Sequence, residues 1–172
     1  MAGGRSSARS NSSRSETVGE HCRPATAGDL EDIANLAAVL VEESADAKGG
    51  RIWSSREARP APHLDSYQAL LDRADARLVV GTIDDVVVGF GAAEVEELRT
   101  GDRLGVISDL YVEPRARAIG VGEAIIDALV AFCRDQNCVG IDALALPGAR
   151  ETKNFFEGHG FSARALIMHR SL

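Results

Sequence analysis

Residues Ile107–Gly122 read ISDLYVEPRARAIGVG and are followed directly by the amphipathic run EAIIDALVAFCRDQ, residues 123–136. This pattern predicts an apolar strand that passes through Glu113-Pro114 and two arginines into a helix opened by Gly120-Val121-Gly122. Unpaired backbone N–H groups, the positive end of a helix dipole and cationic side chains then meet at one place. Because phosphate groups bind well at such places, the stretch predicts an anion site at a strand-to-helix turn.

Two familiar phosphate-binding loops do not fit these residues. A dinucleotide-binding fingerprint requires a small residue at position 125, where the chain has Ile125. A nucleotide-triphosphate loop requires Gly-Lys-Ser/Thr at the start of the helix, whereas Gly122 is followed by Glu123 and Ala124. A tight turn alone would explain the glycines. A tight turn would not explain the neighbouring arginines, Arg115 and Arg117.

The elements predicted around this stretch are those of a mixed α/β domain with an α+β sheet, not a doubly wound one. Strands are predicted over 23–26, 77–83, 86–97, 104–112, 139–146 and 161–170; helices are predicted from the cap at Asp29 up to Gly49-Gly50 and over 64–75, 123–136 and 150–157, with 51–63 as a loop. The three central strands are joined by short turns and should pair antiparallel. The crossover through helix 123–136 should join two roughly parallel strands.

The length of 172 residues is that of one domain with a sizeable core. Residues 1–20 contain almost no large apolar side chain, so they are predicted to be a disordered tail in front of a domain over 21–172. The formal net charge of −7 argues against nucleic acid and anionic membranes as partners. No apolar run approaches the roughly 20 residues that a membrane helix needs.

The cysteines indicate the compartment and argue against a metal site. Cys22, Cys133 and Cys138 form an odd set that is too sparse for a disulfide framework, which is typical of a reducing cytoplasm. The last two lie five residues apart with no histidine at ligand spacing. We therefore expect a cytoplasmic protein without a metal.

The motif Val112-x-Pro114-x-x-Arg117-x-x-Gly120-x-Gly122 resembles the acetyl-CoA motif of the GNAT N-acetyltransferase superfamily. Residues 154–161, NFFEGHGF, resemble the family's FYEKxGF segment at similar spacing. The resemblance spans residues 23–172 and is strongest over 107–161. It implies an acyl-CoA N-acyltransferase fold, with a central, mostly antiparallel sheet and flanking helices. It also implies direct transfer of an acetyl group from acetyl-CoA to a primary amine in a ternary complex.

The resemblance assigns cosubstrate-binding residues on two sides of the turn. In the family the strand before the loop splays from its neighbour, so its main-chain groups can pair with pantetheine and the thioester. The residues implied for that strand are Leu110, Tyr111 and Val112, with the N–H near Leu110 stabilising the oxyanion. The backbone implied for the pyrophosphate is that of Arg117, Ala118, Ile119, Gly120, Val121 and Gly122. Asn154 and Phe156 are implied as further contacts.

The catalytic residues are less determined by the sequence. An amine must lose a proton before it attacks, and Asp109 is the first candidate base, with Glu94 and Glu96 as alternatives. In the family, a tyrosine of the FYEKxGF segment often protonates the thiolate. This chain has Phe156 at that position, and phenylalanine cannot donate a proton. Tyr111, His159 or water are the remaining donors. The family's frequent asparagine, about seven residues earlier, would fall at Ala149.

The expected partners are therefore acetyl-CoA and an amine acceptor, while a homodimer is left open. The acceptor pocket is predicted from residues 40–67, including Trp53 and Tyr67, together with 94–98 and the last strands. Phe156 and Ala149 favour one rival from another class, a non-catalytic acyl-CoA-binding regulatory domain. A phosphate-binding scaffold with no role for CoA is the second rival. Turnover of acetyl-CoA separates the first rival from an enzyme.

Overall fold

A central sheet with helices on both faces forms the described part of the protein, residues 20–172 of a computed structural model. The strands are β1 (Glu20–Pro24), β2 (Ala76–Ile83), β3 (Val86–Glu97), β4 (Arg103–Val112) and β5 (Cys138–Ala143). The helices are α1 (Leu30–Ala45), α2 (Gly50–Arg56), α3 (His63–Leu71), α4 (Val121–Asp135) and α5 (Arg150–Gly158). Of the predicted tail, residues 1–19 lie outside the described residues, and Glu20 begins β1.

The sheet has the strand order β1-β2-β3-β4-β5. The first four strands pair antiparallel, because short turns or returning helices connect them. β5 pairs parallel to β4 after the crossover through α4. The predicted mixed sheet, mostly antiparallel with flanking helices, is confirmed.

Each face of the sheet carries its own apolar core. On one face, α1 and α3 pack over β2, β3 and β4, with Ile33, Tyr67 and Phe90 almost completely buried. On the other face, α4 covers the same strands through Ile125, Ile126 and Leu129 and contacts the residues of α5. Both faces of β4 are therefore covered, and successive side chains of this strand reach two different environments.

Small residues on the sheet set the position of α4. A Cβ added to Gly81 would lie 2.4 Å from Val121 Cγ1, and one added to Gly91 would lie 2.5 Å from Ile125 Cγ2. Real Cβ atoms do not approach other carbons so closely, so any larger residue would push the helix away from the sheet. The first turn of α4 is thus held close to the end of β4.

Two predictions about local structure were wrong. Residues 51–56, part of the predicted loop, belong to helix α2, because the carbonyl of Gly49 accepts the N–H groups of Ile52 and Trp53. The predicted final strand, 161–170, does not form. A strand needs a partner edge as well as apolar residues. This segment contacts β5 through an ion pair between Arg164 and Asp142, and its apolar side chains at 166–168 are exposed.

Candidate functional site

The turn between β4 and α4 presents a row of free backbone donors. A short 3-10 turn, Pro114–Ala116, is followed by Arg117 in an extended conformation and by Ala118 and Gly120 with φ of 79° and 91°. Within the described residues, no acceptor lies on the N–H groups of residues 118–123, and the first N–H of the helix to be bonded is that of Ala124, to the Gly120 carbonyl. Free donors at the positive end of a helix dipole are suited to an anion. The sequence predicted this turn and the start of the helix, while binding of a phosphate here stays a prediction.

The arginines of the loop do not point into this site. Arg117 Nε donates to the Val112 carbonyl at 2.8 Å, and its Nη2 lies 3.3 Å from the Glu43 carboxylate on α1. Its guanidinium also lies 5.5 Å from the centre of the Tyr111 ring. Arg115 is exposed and pairs with its neighbour Glu113. The backbone of the loop, rather than either guanidinium, faces the predicted anion site in this conformation.

A cavity of about 400 Å³ lies beside Arg117, Glu43 and Tyr111, between α1 and the end of β4. The lining residues are Leu36, Val39, Glu43, Tyr111, Glu113, Pro114 and Arg115. The Tyr111 hydroxyl donates to Glu43 Oε1 at 3.0 Å at the edge of this cavity. Burial and the neighbouring Glu43 carboxylate raise the pKa of Tyr111. Its hydroxyl therefore stays protonated at neutral pH.

Gly122 lies close to α5. A Cβ at this position would lie 3.3 Å from the Phe155 ring. Gly122 thus allows α5 to pack against the first turn of α4. The positive φ at Gly120, by contrast, is the backbone requirement of the turn itself.

β4 is paired on one side only over its second half. β5 pairs with residues 103–107 of β4 and no further, so residues 108–112 have an uncovered edge. The N–H of Glu113 donates to the Val88 carbonyl at 2.9 Å, so Glu113 and Val88 form a hydrogen-bonded pair between β4 and β3. Antiparallel pairing alternates, so the N–H and C=O of Leu110 point away from β3, towards the uncovered edge. The splayed strand implied by the resemblance is present.

A β-bulge at Ser108 turns the Asp109 side chain to the α3 face. Ala92 pairs with Asp109 and Ala93 with Ile107, which leaves Ser108 as the extra residue. Without the bulge, Ile107 and Asp109 would share a face. With it, Ile107 packs under α4, whereas Asp109 contacts α3 and is 6% exposed.

Asp109 is surrounded by donors that the sequence did not connect with it. Tyr67 Oη donates to Oδ1 at 2.8 Å, while Arg59 Nε and Ser108 Oγ each donate to Oδ2 at 2.8 Å. Arg59 also pairs with Glu94 through Nη2 and reaches Ser108 Oγ at 2.8 Å. The two predicted base candidates Asp109 and Glu94 are therefore joined by one guanidinium.

The charges of this network stabilise one another. Partial burial of Glu94 opposes its ionisation, but the guanidinium groups of Arg59 and Arg73 outweigh this effect and lower its pKa. Burial also opposes the charge on Arg59, yet Asp109 and Glu94 raise its pKa. Burial, together with Asp109, raises the pKa of Tyr67 far above its usual value, so the phenol remains a donor.

Changing Tyr67 to phenylalanine should lower the free energy of unfolding by about 1–3 kcal/mol, because one oxygen of the buried Asp109 loses its donor. Urea unfolding followed by circular dichroism measures this change. Tyr111→Phe is the matched control and should cost less, since the Glu43 carboxylate that it bonds is 45% exposed and can be hydrated. Equal costs for the two variants would contradict the role given to Tyr67.

The segment that resembles FYEKxGF is divided between core and surface. Phe156 is 7% exposed and packs on Phe161, with ring centres 5.3 Å apart. Asn154 is exposed on α5. His159 lies in the turn after α5, with Nδ1 2.7 Å from the Phe155 carbonyl. Cosubstrate contacts of Asn154 and Phe156 stay a prediction.

No role in the site was predicted for Arg59. It lies fifty positions before Asp109 in an irregular polar segment, and no local pattern distinguishes it from a solvated arginine. Tyr67 was placed in the acceptor pocket as an aromatic, and its hydrogen bond to Asp109 was not foreseen. Only the fold brings these side chains to the bulge of β4.

Within residues 20–172, no three His, Cys, Asp or Glu side chains converge in a way that could hold a metal ion. In the same part of the chain, no helix is both long and apolar enough to cross a membrane. The carboxylates at the β4 bulge are instead matched with arginines.

Comparison with known proteins gives one family and many structures of the same fold. A sequence profile described as the acetyltransferase (GNAT) family matches residues 40–161, well over half of the chain. Among curated protein sequences, none matches the chain.

Three solved structures illustrate the likeness of fold. An acetyltransferase of Trypanosoma brucei is 22% identical, with a TM-score of 0.65 over 90% of this chain and 100% of that one. Glucosamine-6-phosphate N-acetyltransferase of Arabidopsis thaliana is 18% identical, with a TM-score of 0.66 over 89% and 98%. The aminoglycoside N-acetyltransferase AAC(6')-Iy in complex with CoA is 17% identical, with a TM-score of 0.72 over 91% and 97%.

Proposed function

The chain belongs to the acetyltransferase (GNAT) family, and we propose that it transfers an acetyl group from acetyl-CoA to a primary amine by direct attack in a ternary complex. The observation that carries this proposal is the continuous path from the uncovered edge of β4 to the free N–H groups of residues 118–123. Acetyl-CoA carries a thioester and a pyrophosphate on one flexible arm. The uncovered edge would bind the thioester end, and the free N–H groups that follow it would bind the pyrophosphate.

We assign the cosubstrate to that path. The backbone of residues 117–122 would hold the pyrophosphate at the N-terminus of α4, where the helix dipole favours negative charge. The main-chain groups of Leu110 and the N–H of Val112 would pair with pantetheine along the uncovered edge. The main-chain groups of Tyr111, also implied by the resemblance, point to β3 instead, and the Val112 carbonyl accepts from Arg117. The Leu110 N–H would then stabilise the oxyanion, because it points to the side from which the thioester approaches.

The chemical step needs no covalent enzyme intermediate in this proposal. The amine nitrogen attacks the thioester carbonyl, the C–S bond breaks, and CoA leaves as a thiolate that takes up a proton. Holding amine and thioester together supplies much of the acceleration. Asp109 is the proposed base. Water is the proposed proton source for the thiolate, because the Tyr111 hydroxyl donates to Glu43 and His159 Nδ1 is bonded to a carbonyl.

Two measurements test the function. CoA at 100 times its dissociation constant should stabilise the protein by about 2.7 kcal/mol, seen as a rise in melting temperature. Acetyl-CoA with a panel of peptides, lysine derivatives, polyamines and aminoglycosides should release free thiol, with acetylated products identified by mass. No thermal shift at saturating CoA would overturn the cosubstrate assignment.

One observation favours a second candidate, a non-catalytic acyl-CoA-binding regulatory domain. Phe156 stands where the family often has its proton-donating tyrosine, and it is buried in the apolar core. A CoA-dependent thermal shift without thiol release, at high protein concentration and with every amine of the panel, would favour this candidate.

A further inference from the structure

Arg59 lies in the segment predicted for the acceptor pocket, and its guanidinium is an internal cation. It bonds Asp109, Glu94 and Ser108, and its carbon lies 5.5 Å from the centre of the Tyr67 ring. The side chain is only 16% exposed. Four protein groups thus surround one planar cation on the α3 face of the sheet.

This cation lies beside the proposed reaction centre. Asp109 directly precedes Leu110, whose N–H points to the uncovered edge of β4, and consecutive Cα atoms are about 3.8 Å apart. The bulge at Ser108 directs Asp109 to one face just where β5 leaves the strand. An amine that replaced the guanidinium would therefore bind the residue that directly precedes the proposed oxyanion donor.

The segment that carries Arg59 is weakly attached to the fold. Residues 57–62 join two short helices, and α2 has Gly50 as its only buried residue. The N–H groups of Glu57 and Ala58 share one acceptor, the Trp53 carbonyl. Few buried contacts and an exposed backbone are the properties of segments that open at low free-energy cost.

Asp109 cannot act as a base while Arg59 is in place. Its carboxylate accepts three hydrogen bonds and is almost completely buried, so a substrate proton cannot reach it. Departure of Arg59 alone would leave the buried Asp109 carboxylate without a cation, which is strongly unfavourable, while Glu94 would keep its pair with Arg73. An incoming cation removes this obstacle, because it compensates the same charges.

We propose that Arg59 occupies the acceptor site in the free protein and that the ammonium group of a cationic acceptor displaces it, which frees Asp109 for proton transfer. This inference rests on the proposed function. The ammonium gives one proton to Asp109, and the neutral nitrogen attacks the acetyl carbonyl. When the C–S bond breaks, the thiolate takes up a proton, so an ammonium and acetyl-CoA give an amide, CoA and one proton released to solvent.

The first test needs no turnover. Arg59→Ala should leave a site that millimolar guanidinium chloride fills, and its melting temperature should rise by about 3 °C at concentrations far below denaturing ones. The wild-type protein should show no such rise. Arg73→Ala is the matched control, because Arg73 pairs with the same Glu94 but is 42% exposed, and it should not respond either.

The second test is kinetic. For a displaced state populated at about 1%, removing Arg59 should lower the KM for the amine about a hundredfold. The KM for acetyl-CoA and the CoA thermal shift should stay unchanged. Arg59→Gln replaces Arg59→Ala if the alanine variant fails to fold, since an amide can still bond Ser108 and has no charge.

The outcomes separate this inference from the proposed function. An unchanged or raised KM for the amine, or a folded Arg59 variant that guanidinium does not stabilise, would overturn the role of Arg59 even if the wild type acetylates amines. Absence of turnover in the wild type would overturn the proposed function, and the melting experiment would still decide whether an external cation can take the place of Arg59.

Discussion

Valine at position 120 will abolish the stabilisation of the protein by CoA, a loss of about 2.7 kcal/mol at 100 times the wild-type dissociation constant. Gly120 has φ of 91°, a conformation that a β-branched residue adopts only with strain. Relief of the strain would turn the N–H groups of residues 118–123 away from their common point. The added side chain would also stand at the N-terminus of α4, where the phosphates are proposed to bind. Thermal melting with and without CoA measures the effect.

Gly101→Val is the matched control. Gly101 also has a positive φ, 87°, and a Cβ there would meet no atom within 4 Å. This glycine lies in the turn before β4, so its replacement brings similar backbone strain without touching the loop. Both variants should be destabilised, but only Gly101→Val should retain the CoA shift. A normal shift in Gly120→Val would contradict the assignment of the loop.

Proline at position 110 should reduce kcat by about 10²–10³-fold, equivalent to about 2.7–4 kcal/mol, which is typical for the loss of one oxyanion donor. The Leu110 N–H points away from β3, so proline removes it without breaking a bond between β3 and β4. Proline is tolerated in a strand where its nitrogen faces an unpaired edge, as it would at this position. Thiol release at saturating acetyl-CoA and amine measures kcat.

Leu110→Ala separates the side chain from the backbone in this experiment. It removes the half-buried leucine side chain but keeps the N–H, so it should lose far less rate than the proline variant. The CoA thermal shift should persist in both variants. If Leu110→Pro binds CoA and turns over as fast as Leu110→Ala, the donor role of this N–H is wrong.

The turn between β4 and α4 was predictable because its determinants are local. An apolar strand, Glu113-Pro114, a glycine at the start of a helix and an amphipathic run follow one another within thirty residues. The sequence also predicted the meander of β2, β3 and β4, since short turns leave antiparallel pairing as the simplest arrangement. Roles for the loop residues in binding CoA stay predictions.

The network around Asp109 could not be predicted, because two non-local facts create it. One is the bulge at Ser108, which reverses the face on which Asp109 lies and leaves no mark in the strand pattern. The other is Arg59, which reaches the strand from a segment with no pattern of its own. Alternation alone would have placed Ile107 and Asp109 on the same face.

The error over residues 161–170 has a simple physical origin. Apolar residues in this segment resemble a strand, but strand pairing depends on a partner edge that composition does not encode. Arg164 binds Asp142 by its side chain instead, and the apolar side chains of Leu166, Ile167 and Met168 stay exposed. The opposite error at residues 51–56 arose because a helix of seven residues, with Ile52 and Trp53 as its only large apolar side chains, is too short to show a helical period.

The two covered faces of β4 also bear on how such a protein can diversify. Asp109 faces α3 and the Arg59 segment, whereas Leu110 faces α4, and the turn into α4 follows at the end of the strand. Under the proposed function, substitutions in residues 57–67 would change which amine is accepted without altering the turn that would hold the acyl donor. Variation in one half of the site is thereby insulated from the other, and a single ancestral chain could give descendants with one donor and many acceptors.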